Sequence, residues 1–97
     1  MRRIGVKLTV NFLREGNKFI AYSPAFDIST SGDSIEDAKQ QFEELVDIFI
    51  EETLKMGTLD EVLGGLGWRK VLRPKPRWIP PVPVATTQEQ FQIPIGV

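Results

Sequence analysis

From Ser34 to Gly57 the chain carries one long segment with the spacing and punctuation of a helix, and the rest of the fold has to be arranged around it. Ser34 can cap its start, with Asp37 three residues on as a capping-box-like partner, and Asp33 adds negative charge near the positive helix end. Ile35, Ala38, Phe42, Leu45 and Phe49 recur at spacings of three and four, which makes one apolar stripe suited to a sheet. Gly57 ends the segment. In its second half Val46, Ile48, Ile50 and Leu54 spread the apolar surface beyond that stripe. A helix apolar on several sides is usually covered by something else, so these four are candidates for a dimer interface.

Before the helix the period changes from 3.6 to two. Ile4, Val6, Leu8, Val10 and Phe12 alternate with Gly5, Lys7, Thr9 and Asn11, so residues 3–13 read as a strand with one buried face. Arg14-Glu15-Gly16-Asn17 supplies a turn, and Lys18 to Ser23 the return strand of a hairpin. Pro24 breaks that strand. Phe26-Asp27-Ile28-Ser29-Thr30 reads as a third, which completes an antiparallel meander. After the helix, Thr58 and Glu61 form a second capping box, and Leu59, Val62, Leu63 and Leu66 give a short second helix its apolar face. Gly67 closes it.

The last third has a different character. Pro74, Pro76, Pro80, Pro81 and Pro83 forbid a helix and favour extended, polyproline-like backbone. Trp68, Val71, Leu72, Trp78, Ile79, Val82 and Val84 make this stretch too apolar for a disordered linker, and it reads as a strap over the domain. Phe91, Ile93 and Ile95 alternate with Gln90, Gln92 and Pro94, the pattern of a terminal edge strand. The expected fold class is α+β: a three-stranded antiparallel meander on one long helix, a short second helix and a C-terminal edge strand, in the order β-β-β-α-α-β. Residues 1–67 form the α+β unit, and residues 68–97 a Pro-rich extended tail with its terminal strand, part of the same domain.

Composition narrows the chemistry. The chain of 97 residues has neither cysteine nor histidine. Disulfides, thiolate metal sites, thiol nucleophiles, a Ser-His-Asp triad and a conventional zinc site are all excluded. No stretch approaches the roughly 18–20 apolar residues of a membrane span, and the start of the chain alternates rather than forming a signal peptide, so a cytoplasmic location without membrane association is expected. A core this small favours self-association, as a homodimer or higher homo-oligomer. The net charge of -1 hides a segregation of signs. Residues 33–61 hold ten acids against Lys39 and Lys55, whereas residues 69–77 hold Arg69, Lys70, Arg73, Lys75 and Arg77 with no acid.

Two groups of side chains invite a functional reading. Glu43, Asp47 and Glu51 share a helix face at i, i+4 and i+8; they read as the solvated side of an amphipathic helix and as contacts for a basic protein partner, not as metal ligands or catalysts. No catalytic residue, metal or cofactor is expected. Trp68, Arg69, Lys70, Arg73, Arg77 and Trp78 could grip phosphates while the rings stack on bases, the alternative reading as a nucleic-acid-binding protein. A third reading is a structural homo-oligomer with no other partner.

The stretch Gly16-Asn17-Lys18-Phe19-Ile20-Ala21-Tyr22-Ser23-Pro24-Ala25-Phe26, followed by Thr30-Ser31-Gly32-Asp33-Ser34-Ile35-Glu36-Asp37-Ala38, resembles the HicB-type antitoxins. That pattern has an aromatic strand entering a Pro-containing bend, then a Thr-x-Gly-Asp-Ser/Thr cap leading into a Glu/Asp-Ala helix. The similarity covers about residues 4–56. It implies a truncated RNase H-like fold that self-associates, and a non-enzymatic role: binding and silencing a small basic HicA-type toxin, an RNA-cleaving protein. Two features depart from the family pattern. Phe26-Asp27-Ile28 stands where many members have a small or Gly-containing turn, and the tail carries neither a helix-turn-helix nor a ribbon-helix-helix pattern.

Overall fold

A computed structural model describes residues 4–96. Its elements are β1 (Asn11–Glu15), β2 (Lys18–Ser23), β3 (Ile28–Gly32), α1 (Ile35–Met56), α2 (Leu59–Gly65), β4 (Arg69–Val71) and β5 (Arg77–Ile79). The architecture is α+β, as the periodicities predict. β1, β2 and β3 form an antiparallel meander in that order, and β4 and β5 pair as a separate hairpin.

The β1–β2 turn follows from glycine. Glu15 stands opposite Lys18, and of the two residues between them only Gly16 has a positive φ, +61°. That is the pattern of a type II′ turn, whose twist matches the strands it joins. β2 then pairs with β3, Phe19 opposite Gly32 and Ser23 opposite Ile28.

Two strand boundaries differ from the sequence expectation, for one reason. Pro24 cannot donate to a ladder, and the chain turns back at once through Pro24–Asp27, closed by the Asp27 N–H donating to the Ser23 carbonyl at 2.8 Å. Among the described residues, no strand pairs with residues 4–10 once β2 has ended at Ser23. The strand expected over 3–13 is therefore regular only from Asn11, although Leu8 and Val10 still pack against the core. Arg3 lies outside the described residues. The third strand likewise starts at Ile28 rather than Phe26, because Ala25 and Phe26 are turn residues, both buried.

α1 begins as expected. The Ser34 Oγ accepts from the Asp37 N–H at 3.0 Å, and the Asp37 carboxylate accepts from the Asp33 N–H at 2.9 Å. The helix ends in a Schellman-type turn at Gly57, φ +72°, where the Thr58 N–H donates to the Thr53 carbonyl. The line of contact with the core runs through Ala38, Phe42, Val46 and Phe49, while Ile35 and Leu45 stay exposed at its margins. The helix lies over β3 and β2, and it comes very near the backbone at Gly32. A Cβ there would sit 2.8 Å from the Ala38 Cα, so only glycine lets the helix come this near.

The second capping box does not form. Thr58 makes no side-chain cap bond to α2. Its backbone already belongs to the end of α1, with φ -113° and ψ 4°, far from the extended conformation a cap needs.

The tail differs most. Instead of a wholly extended strap, residues 69–79 make the β4–β5 hairpin, with Lys70 opposite Trp78. Its prolines fall outside the paired residues, Pro74 and Pro76 in the loop and Pro80 just past β5. The hairpin supplies the last β position of the expected order. Residues 80–96 have no regular structure, and the edge strand expected around Phe91, Ile93 and Ile95 is not formed within the chain.

Candidate functional site

The core is capped at one end by a run of aromatic rings. Phe49 meets Phe26 edge-on at 5.6 Å, Phe26 lies 5.1 Å from Trp68, and Trp68 meets Trp78 edge-on at 6.4 Å. These contacts pin the β4–β5 hairpin to the body. Trp68 is buried, and its indole N–H is spent on the Ala25 carbonyl. Trp78 is half-buried, with the Lys70 ammonium 5.6 Å from its ring centre. Lys70 also pairs with Asp60 of α2 at 2.8 Å. Of the six residues considered for nucleic acid, Trp68 is core and Lys70 is engaged within the fold. Arg69, Arg73 and Arg77 are exposed.

Glu43, Asp47 and Glu51 are all exposed on α1. Successive members are about 6 Å apart along the axis, so they form a ridge rather than a convergent cage. Among the described residues no three acidic side chains are placed to hold a metal ion. Beside this ridge run Glu44, Ile48 and Glu52, with Leu45 one turn before Ile48. Ile48, 56% exposed, is a bare aliphatic side chain among carboxylates on the outer side of the helix, while Leu45, 38% exposed, lies at the margin of the core contact.

The four residues considered for a dimer interface therefore divide. Ile48 belongs to this outer surface. Val46, Ile50 and Leu54 are half-buried and line a groove of about 680 Å³, together with Ile4, Val6, Leu8, Leu59 and Trp78. A second groove, of about 700 Å³, runs between Val6, Leu8, Val10 and Phe12 on one side and Ile35, Phe42 and Val46 on the other. Glu43 and Asp47 stand on its rim. Both grooves share Val6, Leu8 and Val46, so they are two ends of one trough along α1. The alternating residues 4–12 were the signal for it; what the alternation could not convey is that their apolar face is left half-open.

Two surface groups have displaced proton affinities. The Lys18 ammonium is held by the Asp33 carboxylate, which raises its pKa and ties the start of β2 to the helix cap. The Tyr22 hydroxyl donates to the Asp27 carboxylate at 3.1 Å, and that bond raises its pKa too.

What fold and surface define is a small α+β domain with an acidic, partly apolar helix face and an open apolar trough behind it. No family model, curated protein or solved structure matches the chain. Among the described residues no helix is long and apolar enough to cross a membrane.

Proposed function

We propose that the chain is a HicB-like antitoxin or a stand-alone relative, a non-catalytic module that neutralises a small basic HicA-type RNA-cleaving toxin by covering its active surface. The observation that carries this reading is the outer face of α1, where Glu43, Asp47 and Glu51 form an exposed row and the exposed Ile48 lies next to it between Glu44 and Glu52. An exposed aliphatic side chain flanked by charge has the anatomy of a protein interface, an apolar centre with a polar rim. Carboxylates in a row steer a basic partner and fix its orientation, while desolvation of Ile48 supplies affinity. A cytoplasmic location fits the absence of cysteine from the whole sequence.

The test is a pull-down of the tagged chain from its own cells, followed by an RNA-cleavage assay on any small basic protein recovered. Cleavage that stops when the chain is added back supports the reading. The triple variant Glu43→Lys, Asp47→Lys, Glu51→Lys then has to lose inhibition by at least tenfold. A recovered nuclease indifferent to excess chain removes the antitoxin reading. Nucleic acid recovered instead, and lost with Trp78→Ala, moves the function to the basic hairpin.

A further inference from the structure

We propose that residues 87–95 of one copy lie as a strand in the apolar trough of a second copy, and that the chain is a dimer closed by reciprocal exchange of these arms. The inference is independent of what the outer face of α1 binds.

The single chain is too open for its mass. Its accessible surface is 8036 Å². A compact monomer of 11.0 kDa would expose only about 5,600 Å². The radius of gyration is 16.6 Å, where a compact domain of this length has about 13 Å. The surplus of surface exceeds the roughly 800 Å² per partner that a stable interface buries.

Much of it is an arm. Beyond Pro81, Val84, Phe91, Ile93 and Ile95 are 96%, 77%, 81% and 89% exposed. Alternation places Phe91, Ile93 and Ile95 on one face of a strand. It also sends the backbone groups of these three toward one edge, and those of Gln92 and Pro94 toward the other. A strand that pairs through its odd-numbered residues loses nothing at Pro94, whose missing N–H falls on the solvent edge and blocks further pairing there. The segment is built to pair on one side and to bury one face.

The trough offers both. Val6, Leu8, Val10 and Phe12 face α1 across it with their apolar side half-covered. Among the described residues, the backbone N–H and C=O groups of residues 4–10 find no backbone partner. From Ile35 to Leu54 the helix wall is roughly 28 Å long. Nine extended residues span about 26–30 Å, so 87–95 match it.

The chain's own trough is not where the arm goes. Pro80, Pro81 and Pro83 follow β5 directly and stiffen the exit. Pro81 lies beside Gly67, 3.6 Å from where a Cβ there would stand, and residues 82–96 beyond it are exposed on a molecule whose long axis is 57 Å. One trough and one arm per copy close at two copies with twofold symmetry, which leaves no open end.

The whole chain, measured by sedimentation at tens of micromolar, is expected at twice 11.0 kDa. Phe91→Asp with Ile93→Asp is expected to halve that mass and to leave the helical circular dichroism unchanged, since the arm makes no contact with its own core. Because the chain has no cysteine, Val6→Cys with Ile93→Cys reports the connection directly: oxidation should give a covalent dimer. A monomeric wild-type chain, a dimer indifferent to the arm substitutions, or a disulfide closed within one chain would each overturn the proposal.

Discussion

The indole Nε1 of Trp68 donates a 2.7 Å hydrogen bond to the carbonyl of Ala25, 43 residues earlier in the chain and buried with it. That bond joins the turn after β2 to the residue just before the β4–β5 hairpin, so it couples two parts that share no sheet. Trp68→Phe keeps much of the ring packing on Phe26 but leaves the Ala25 carbonyl buried without its donor. The expected loss is about 1–3 kcal/mol of unfolding free energy. Trp68→Ala adds a cavity and should cost about 3–5 kcal/mol. Urea denaturation followed by circular dichroism measures both, and equal stability of Trp68→Phe and wild type would show that the bond contributes nothing.

Gly32 is where α1 comes down onto the sheet. An added Cβ would overlap the backbone nitrogen of Ala38 and lie 2.8 Å from the Asp37 carbonyl carbon, and backbone cannot rotate away as a side chain can. Gly32→Ala should therefore cost at least about 1–3 kcal/mol, the usual penalty of overpacking, by forcing the helix off β3. Gly5→Ala meets nothing within 4 Å and serves as the neutral control. Thermal melts of the two variants separate steric from intrinsic effects of removing a glycine.

The two helix starts, alike in sequence, should respond differently to the same change. Ser34 makes its cap bond, so Ser34→Ala is expected to lose about 1 kcal/mol. Thr58 makes none, so Thr58→Ala should lose less than half as much. Chemical denaturation of both variants checks the contrast, and equal losses would contradict the geometry of the second cap.

That contrast shows where the sequence was readable. Ser34 and Gly57 mark α1 because their side-chain and backbone preferences act within a few residues. Thr58 misleads because its backbone is already committed to the end of α1, a constraint that local spacing does not carry. The strand limits are not local either. Asn11 begins β1 because β2 ends at Ser23 on the neighbouring strand. Phe26 looked like strand and is turn, since burial of its ring among Phe49 and Trp68 outweighs its β propensity. The carboxylates Glu43, Asp47 and Glu51 were legible as an exposed row from helical spacing alone. The trough was not, because the sequence gives the apolar face of residues 4–12 and not how far α1 covers it. The β4–β5 hairpin escaped for a similar reason. Its prolines spoke against regular structure, yet they fall between and after three-residue strands too short to show an alternation.

Tyr22 and Asp27 provide a test by titration. The chain has one tyrosine, so its ionisation can be followed by ultraviolet absorbance without overlap from another phenol. The hydroxyl donates to the Asp27 carboxylate, and ionisation would both break that bond and set two negative charges together, which raises the Tyr22 pKa above 10.0. Any stability this pair lends is fully present below pH 10.0 and is lost as the pH rises through the folded-state value. Asp27 also has a left-handed backbone, φ +53°, so Asp27→Gly removes the carboxylate without straining the turn. The midpoint in Asp27→Gly is expected to fall toward 10.0, with far-ultraviolet circular dichroism unchanged near neutral pH. An unchanged midpoint would mean that the hydroxyl and the carboxylate do not meet in solution, and that the turn after β2 is held by the Asp27 N–H to Ser23 carbonyl bond and by Trp68 without help from Tyr22.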